Sequence, residues 1–194
     1  AAALAELMRT EEARALCSLA ESNAANQEAI AAAGGVPLLI SHLGGQRSEA
    51  LQRNAASALW AVGAAPSNQR LIAQRGGIPP LAKMLVEGGD ATREMAAGAL
   101  HSLSALQSNR ALIADAGGIQ ALVALFEVGT AAAKAEAAGA LAKLVVGSTV
   151  NQSAVAHALV GLLSGRSIFH ALFRATQQHA GIGCSTPPVS GRGA

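Results

Sequence analysis

Histidine and cysteine are the side chains of this sequence best suited to hold a metal ion or to act as a nucleophile. None of the histidines belongs to an H-x-x-x-H pair beside a carboxylate, the spacing of a helical zinc site. Cys17 and Cys184 are far apart and lack C-x-x-C spacing, so they indicate no disulfide framework. A nucleophilic Cys17 would need a positioned histidine, which the spacing does not supply. The histidines are His42, His101, His157, His170 and His179.

Motifs of hydrolytic and nucleotide-binding sites are missing as well. The sequence has no G-x-S-x-G nucleophile elbow and no phosphate-binding G-x-x-x-x-G-K-S/T motif. Residues 181–185, GIGCS, are not flanked by a strand and a helix, the context that dinucleotide binding requires. We therefore predict that the protein is not an enzyme and that it has no catalytic residue, no metal site and no cofactor.

The composition predicts an almost all-helical protein. Of the 194 residues 51% are apolar but only 2% are aromatic, and alanine dominates, which favours helices that approach closely. The net charge is +2 and the sparse basic residues form no cluster, so nucleic-acid binding is not expected. No signal peptide is apparent, and the uncharged residues 144–165 contain three glycines and several polar side chains, which argues against a transmembrane segment. We predict a cytoplasmic location, with the nucleus as the alternative.

One phrase recurs along the chain at intervals of 41 or 42 residues. Its copies begin at Asn26, Asn68, Asn109 and Asn151. In the first three copies a Gly-Gly pair follows the asparagine by eight residues, and a segment of the form AA-x-AL-y-z-L comes later. That segment stands at residues 55–62, 96–103 and 137–144, and EARALCSL at 12–19 has the same shape. Self-similarity at this period is typical of a helical solenoid with repeats of about 40–47 residues.

Each repeat predicts three helices. In the copy that starts at Asn68, residues 68–75 form a short first helix, and the glycine pair at 76–77 ends it because glycine adopts left-handed geometry without a steric penalty. Pro79 then lies in the first turn of the second helix, where its missing N–H costs nothing. A second glycine pair, at 88–89, separates this helix from the third.

The third helix is the longest of the repeat. Asp90 or Thr92 is expected to cap it, and it continues to about residue 106, with Leu100 in a buried position. The recurring asparagine stands between one third helix and the next first helix. It is therefore expected to cap the new helix and to bond the turn.

The pattern N..I...GGI..L..LL followed by AA.AL..L resembles the armadillo repeat family over about residues 1–165. The resemblance implies an all-α fold, a right-handed α-solenoid with three helices in each repeat of about 42 residues. The glycine-rich units are most similar to vacuolar protein 8-like and plant U-box-ligase-like armadillo repeats, which serve as protein-docking scaffolds, although no U-box is present. We predict an armadillo repeat domain at 1–165, with a partial repeat at 1–25, full repeats at 26–67, 68–108 and 109–150, a degenerate repeat at 151–180, and a disordered tail at 181–194.

The resemblance also implies that the third helices line a concave groove that binds a partner. The alanines and leucines of AA-x-AL-y-z-L are expected to be buried. Positions x and z lie one helical turn apart on one face, and position y is adjacent. In classical importin alpha, position x is typically Trp and position z is typically Asn. This chain has no Trp at any position x and no Asn at any position z, so binding of nuclear-localisation signals is not predicted. The predicted groove residues, including charged ones four positions before x, are Arg14, Ser18, Arg53, Ser57, Trp60, Ala61, Glu94, Gly98, His101, Ser102, Gly139 and Lys143.

Several of these residues have a second interpretation. Trp60 either anchors a ligand or packs between neighbouring third helices, and the same choice applies to the other residues at position y. Gly98 and Gly139 indicate the close approach of another backbone, either that of a neighbouring helix or that of a ligand, because glycine inside a helix costs about 1 kcal/mol relative to alanine. Close packing of a neighbouring helix is the more economical explanation. Arg53 and Glu94 either meet charges of a ligand or lie on a solvated helix face.

The predicted function is to bind an extended peptide segment or a helix of another protein in this groove. The mixed charge of the groove predicts a modest preference for ligands that are acidic or of mixed charge. The alternative is a structural role, in which the array is a piece of a longer armadillo solenoid that packs against further repeats without a ligand of its own. We expect a monomer, or weak self-association through exposed ends of the array.

Overall fold

The computed structural model describes residues 2–45 and 47–164, which form eleven helices and no strand. Helix α1 comes first and α11 last, and three sets of three helices stand between them. The helices are α1 (Ala2–Ala20), α2 (Ala24–Ala32), α3 (Gly35–Ser41), α4 (Glu49–Val62), α5 (Pro66–Gln74), α6 (Ile78–Glu87), α7 (Asp90–Leu103), α8 (Gln107–Asp115), α9 (Gly118–Val128), α10 (Ala131–Leu144) and α11 (Thr149–Leu163). The predicted tail at 181–194 and residues 165–180 of the predicted degenerate repeat lie outside the described residues, and the predicted repeat boundaries stay predictions.

A glycine in left-handed geometry joins the first and second helices of each set, as the sequence predicts. Gly76 has a φ of +77°, and the N–H of Gly77 donates to the carbonyl of Ile72 at 2.9 Å, which ends α5 in a Schellman-type turn. Pro79 is the second residue of α6. Gly34 and Gly117 adopt the same positive φ in the other two sets. The turn is thus repeated three times by the same local chemistry.

The start of α7 differs from the prediction. Neither Asp90 nor Thr92 is the N-cap residue, because Gly89 occupies that position. The carboxylate of Glu49, one repeat earlier, accepts the N–H of Gly89 at 2.8 Å and the hydroxyl of Thr92 at 3.0 Å. The cap is therefore supplied by the preceding third helix, and α7 ends at Leu103 rather than near residue 106.

The recurring asparagine bonds the turn as expected, but it does not cap the new helix. Asn109 lies inside α8, and its side-chain amide donates to the carbonyls of Leu103 and Gln69, both at 3.1 Å. Asn68 makes the equivalent pair of bonds one repeat earlier, to Val62 and Gln27. One of the two bonds closes the end of the preceding third helix, and the other reaches the first helix of the preceding repeat.

The core follows the stack of third helices. Helix α1 packs against α4, α4 against α7, and α7 against α10, while α6 and α9 pack on them from one side. Leu59, Leu100 and Leu141 of the AL pairs are buried, as the sequence predicts, and Leu100 has no exposed surface. Of the alanines before position x in the full repeats, Ala138 of α10 is exposed, contrary to the prediction.

Helix α11 replaces the first two helices of a repeat with one. At the point where Gly117 turns the chain in the preceding repeat, the corresponding residue is Leu159, and α11 continues without a break to Leu163. Within the part of the chain that the structure covers, no single helix is long and apolar enough to cross a membrane. Helices α8 and α9 pass that test only as a pair, by length and composition, with a bend of 74° between them.

Candidate functional site

Position y of each third helix packs on position x of the next one. The indole ring of Trp60 lies so close to Gly98 that a Cβ atom there would be 2.6–2.7 Å from three ring atoms. The ring of His101 lies on Gly139 in the same way, with two ring atoms 2.7 Å from such a Cβ. In the first pair the Sγ of Cys17 is 3.1 Å from the Oγ of Ser57. A large side chain at y therefore faces a glycine at x, whereas a small one faces serine.

These contacts decide between the two interpretations of the glycines. The close approach at Gly98 and Gly139 is made by a side chain of the neighbouring third helix, not by a second backbone as expected. Trp60 packs between third helices, and because it is only half-buried it also presents part of its ring to solvent. His101 is oriented further by Glu136, whose carboxylate is 2.8 Å from Nδ1.

Position z mostly ties adjacent third helices together. The hydroxyl of Ser102 donates to the carbonyl of Gly63 at 2.7 Å, and the ammonium of Lys143 donates to the carbonyl of His101 at 3.3 Å. Both carbonyls lie at the end of the preceding third helix; that of Gly63 also accepts the side-chain amide of Gln69, and that of His101 also accepts the hydroxyl of Ser104. Ser18, the corresponding residue of α1, is exposed. Two of the predicted groove residues thus have a structural role.

The predicted charged groove residues differ in whether they already have a partner within the protein or can bind a charged group of a ligand. Arg14 forms an ion pair with Glu11 on the exposed surface of α1. The carboxylate of Glu94 accepts a hydrogen bond from the hydroxyl of Thr130 at 3.1 Å, at the start of α10. Arg53 is exposed, and no side chain within residues 9–45 and 47–164 pairs with it. Of the predicted groove cations, Arg53 is therefore the one best placed to meet an acidic ligand group.

A cleft of about 590 Å³ lies where α1, α4 and α7 meet. It brings together three of the predicted residues, Ser57, Trp60 and Ala61, whereas Gly139 and Lys143 lie further along the stack. The sequence interpretation missed Glu21 and Met95, which also line the cleft. Met95 lies three residues before position x of α7, so helical spacing could have found it. The lining residues are Cys17, Glu21, Ser22, Gln27, Ser57, Trp60, Ala61, Ala64 and Met95.

The cleft combines an aromatic face, a thioether and a carboxylate with a neutral thiol. Burial raises the pKa of Cys17, an effect that the hydrogen bond with Ser57 partly offsets and that Glu21 increases. The thiol therefore stays protonated near neutral pH and can donate to Glu21, which lies 3.7 Å away. A protonated thiol is a poor nucleophile, so this arrangement favours binding. Among the residues that the structure describes, no cluster of three His, Cys, Asp or Glu side chains could hold a metal ion.

We expect the Gly98→Ala substitution to lower the free energy of unfolding by up to about 2 kcal/mol. Alanine would normally stabilise a helix by about 1 kcal/mol relative to glycine, but its Cβ would overlap the ring of Trp60, and overpacking costs about 1–3 kcal/mol. Chemical denaturation of the two proteins measures the difference.

The control for this prediction is the same substitution in a Trp60→Ala background. With the ring removed, Gly98→Ala should become stabilising by up to about 1 kcal/mol, because only helix propensity remains. A substitution that has the same sign in both backgrounds would show that the Trp60–Gly98 contact does not determine the residue at position x.

Comparisons with known proteins agree with this architecture. Residues 23–60 match the family model of the Armadillo/beta-catenin-like repeat. Crystal structures of two engineered proteins are each 30% identical to the chain over 79% of its length, with TM-scores of 0.74 and 0.75. A designed armadillo repeat protein in complex with the peptide (KR)4 is 20% identical over 75% of the chain, with a TM-score of 0.69. No curated protein sequence matches the chain.

The three-helix sets, the glycine turns and the stacked third helices define an α-solenoid of armadillo repeats. The chain has the fold of the armadillo repeat solenoids, and its residues 23–60 match the armadillo repeat in sequence. It spans 62% and 38% of the length of the two engineered proteins, and 62% of the peptide-bound designed protein.

Proposed function

We propose that the protein is a scaffold that binds an extended peptide segment of another protein along its third helices. The observation that carries the proposal is the cleft at α1, α4 and α7, which exposes part of the Trp60 ring beside Met95. Aromatic and thioether side chains are common anchors in protein interfaces, and the exposed carboxylate of Glu21 supplies a polar partner at the same place. The designed armadillo protein in complex with (KR)4 supports a peptide as the form of the ligand.

The stack gives the ligand a length and a direction. Third helices about 10 Å apart make a track of about 40 Å over α1, α4, α7 and α10. An extended segment of about twelve residues would span this track at about 3.3 Å per residue. Such a segment would cross each third helix in turn, with its main anchor in the cleft beside Trp60.

Charge should tune the affinity modestly. Arg53 is available for an acidic group of the ligand, while Glu21, exposed at the edge of the cleft, favours a basic one. We therefore keep the prediction of a ligand with acidic or mixed charge, whose binding weakens as salt screens these exposed charges. Affinity that does not change between low and high salt would contradict the charge preference and leave the apolar anchor as the sole determinant.

The test is a peptide-display selection on the full chain, followed by binding measurements on three variants. Arg53→Glu and Glu21→Lys reverse charges on the proposed track without removing a buried group. Arg75→Glu is the matched control, because it makes the same charge change at the exposed end of α5. We expect a loss of affinity of about three- to fivefold for one or both track variants, the size that an exposed charge contact allows, and less than about a 1.5-fold change for Arg75→Glu.

Two results would contradict the proposal. One is a selection that enriches no peptide. The other is a set of peptides whose affinity responds to Arg75→Glu as strongly as to the track variants, because the ligand would then bind elsewhere or only by overall charge. Circular dichroism of each variant separates these outcomes from a loss of folding.

A further inference from the structure

An apolar face near the start of the array is open, although the same surface is covered in the later repeats. It is formed by α1, α2 and α3 around a cleft of about 430 Å³. Leu19 is 55% exposed and Leu38 is 46% exposed at this face. None of the lining side chains is titratable. The lining residues are Leu16, Leu19, Asn26, Ala29, Ile30, Ala33, Gly34, Gly35 and Leu38.

The repeats show what normally covers this surface. Leu19 holds the same place in α1 as Val62, Leu103 and Leu144 hold in α4, α7 and α10, and these three are at most 1% exposed. In each of those repeats the third helix packs against the second helix of its own repeat, as α6 does on α7 and α9 on α10. The described residues contain no first or second helix that belongs with α1.

The side-chain amide of Asn26, at the same face, also indicates that a first helix of a preceding repeat would fit there. The amides of Asn68 and Asn109 each donate to two carbonyls, one of which belongs to the first helix of the preceding repeat. The amide of Asn26 donates to the carbonyl of Leu19 at 2.7 Å and to no other carbonyl of the described chain. Asn151 also makes a single such bond, but its helix, α11, continues through the position at which the other repeats have their Gly-Gly turn.

We infer that this face binds a two-helix hairpin of the armadillo type, a first and a second helix joined by a Gly-Gly turn, which completes the repeat whose third helix is α1. The second helix would cover Leu16 and Leu19, and the first helix would lie on α2 and offer a backbone carbonyl to Asn26. The surface continues the interface between repeats that the chain already uses three times. Binding should be insensitive to salt because the face carries no charge. The inference is independent of ligand binding beside Trp60.

The experiment adds such a hairpin to the full chain. A second copy of residues 66–89, which hold α5, α6 and the Gly-Gly link, is placed ahead of Glu6 in place of residues 1–5. This junction reproduces the spacing between α6 and α7. We expect the Tm to rise by roughly 5 °C or more. We also expect amide hydrogen exchange in residues 16–38 to slow at least tenfold, because the face becomes covered.

The matched control is the same fusion with Ile78→Asp and Leu81→Asp in the added copy alone. Both residues are buried in α6, so the added helices would keep their length and lose their apolar stripe. The control fusion should neither raise the Tm nor slow exchange. An equal effect from both fusions, or no effect from either, would overturn the inference.

Light scattering on the unmodified chain tests the other occupant, a second copy of the same chain. A dimer that Leu19→Asp and Leu38→Asp convert to a monomer, together with a fused hairpin that gives no protection, would assign the face to self-association and overturn the hairpin. A monomer whose residues 16–38 become protected only by the intact hairpin supports the inference.

Discussion

Replacing Leu100 by alanine is expected to lower the free energy of unfolding by about 2–5 kcal/mol. Leu100 has no exposed surface and lies in α7, which packs against α4, α6 and α10. The substitution removes buried methyl groups and leaves a cavity between rigid helices that can close only partly. Urea denaturation followed by circular dichroism measures the loss. Because a repeat array is stabilised by its own units and their neighbours, both adjacent repeats should also exchange amide hydrogens faster.

Leu112→Ala is the matched control for this prediction. Leu112 lies on α8 and is 48% exposed, so the same deletion there should change stability by no more than about 1 kcal/mol. If Leu100→Ala proved neutral, or if the two substitutions cost the same, the assignment of the AL pairs to the core would be wrong.

The turns and the period of this fold could be predicted because their causes are local. The left-handed geometry at Gly76 is a property of one residue, and Pro79 is favourable in a first turn whatever packs around it. Alignment of the three copies of the phrase then fixes which positions of each third helix are equivalent, and this predicts that Leu59 and Leu100 lie in the core. Each of these steps uses residues that are close in sequence.

The cap of α7 could not be predicted in this way, because its cause lies one repeat away. A local reading selects the nearest oxygen-bearing side chains, Asp90 and Thr92, as N-cap candidates. The carboxylate that accepts the Gly89 N–H belongs to Glu49 on the neighbouring third helix. Its distance along the chain says nothing about its position until the stacking of α4 on α7 is known.

The contact between position y of one third helix and position x of the next is intermediate between the local turns and the non-local cap of α7 in how far it could be predicted. Each residue at position y precedes, by one repeat, a small residue at position x, and the larger rings of Trp60 and His101 precede glycines. The sequence therefore contains the signal, but only a comparison of y with the next x would reveal it. Reading Gly98 within its own helix indicated a close approach without identifying Trp60 as the group that approaches. Helical spacing alone could have indicated Met95, whereas the place of Glu21 in the cleft depends on how α1 ends relative to α4 and α7.

Replacing Asn109 by alanine is expected to cost about 1–3 kcal/mol, since it removes two buried hydrogen bonds that tie three helical segments together. Asn109 is 2% exposed, and its amide joins the end of α7 to the first helix of the preceding repeat. A buried group that loses its hydrogen bond costs about 1–3 kcal/mol. Thermal and urea denaturation measure the effect, and Asn109→Asp provides a variant of nearly the same shape that cannot donate these two bonds.

Asn26→Ala is the comparison that isolates the bond between repeats. Asn26 is only half-buried and donates to a single carbonyl, so its loss should cost about 1 kcal/mol or less, well below the cost at Asn109. Equal costs would show that the bond to the preceding repeat contributes nothing and that the amide acts only at the end of its own turn. In the fusion that carries the added hairpin, Asn26 should gain the second carbonyl, and Asn26→Ala should then become nearly as costly as Asn109→Ala. The same substitution at one site, with and without the added helices, thus measures how much stability one repeat transmits to the next through this amide.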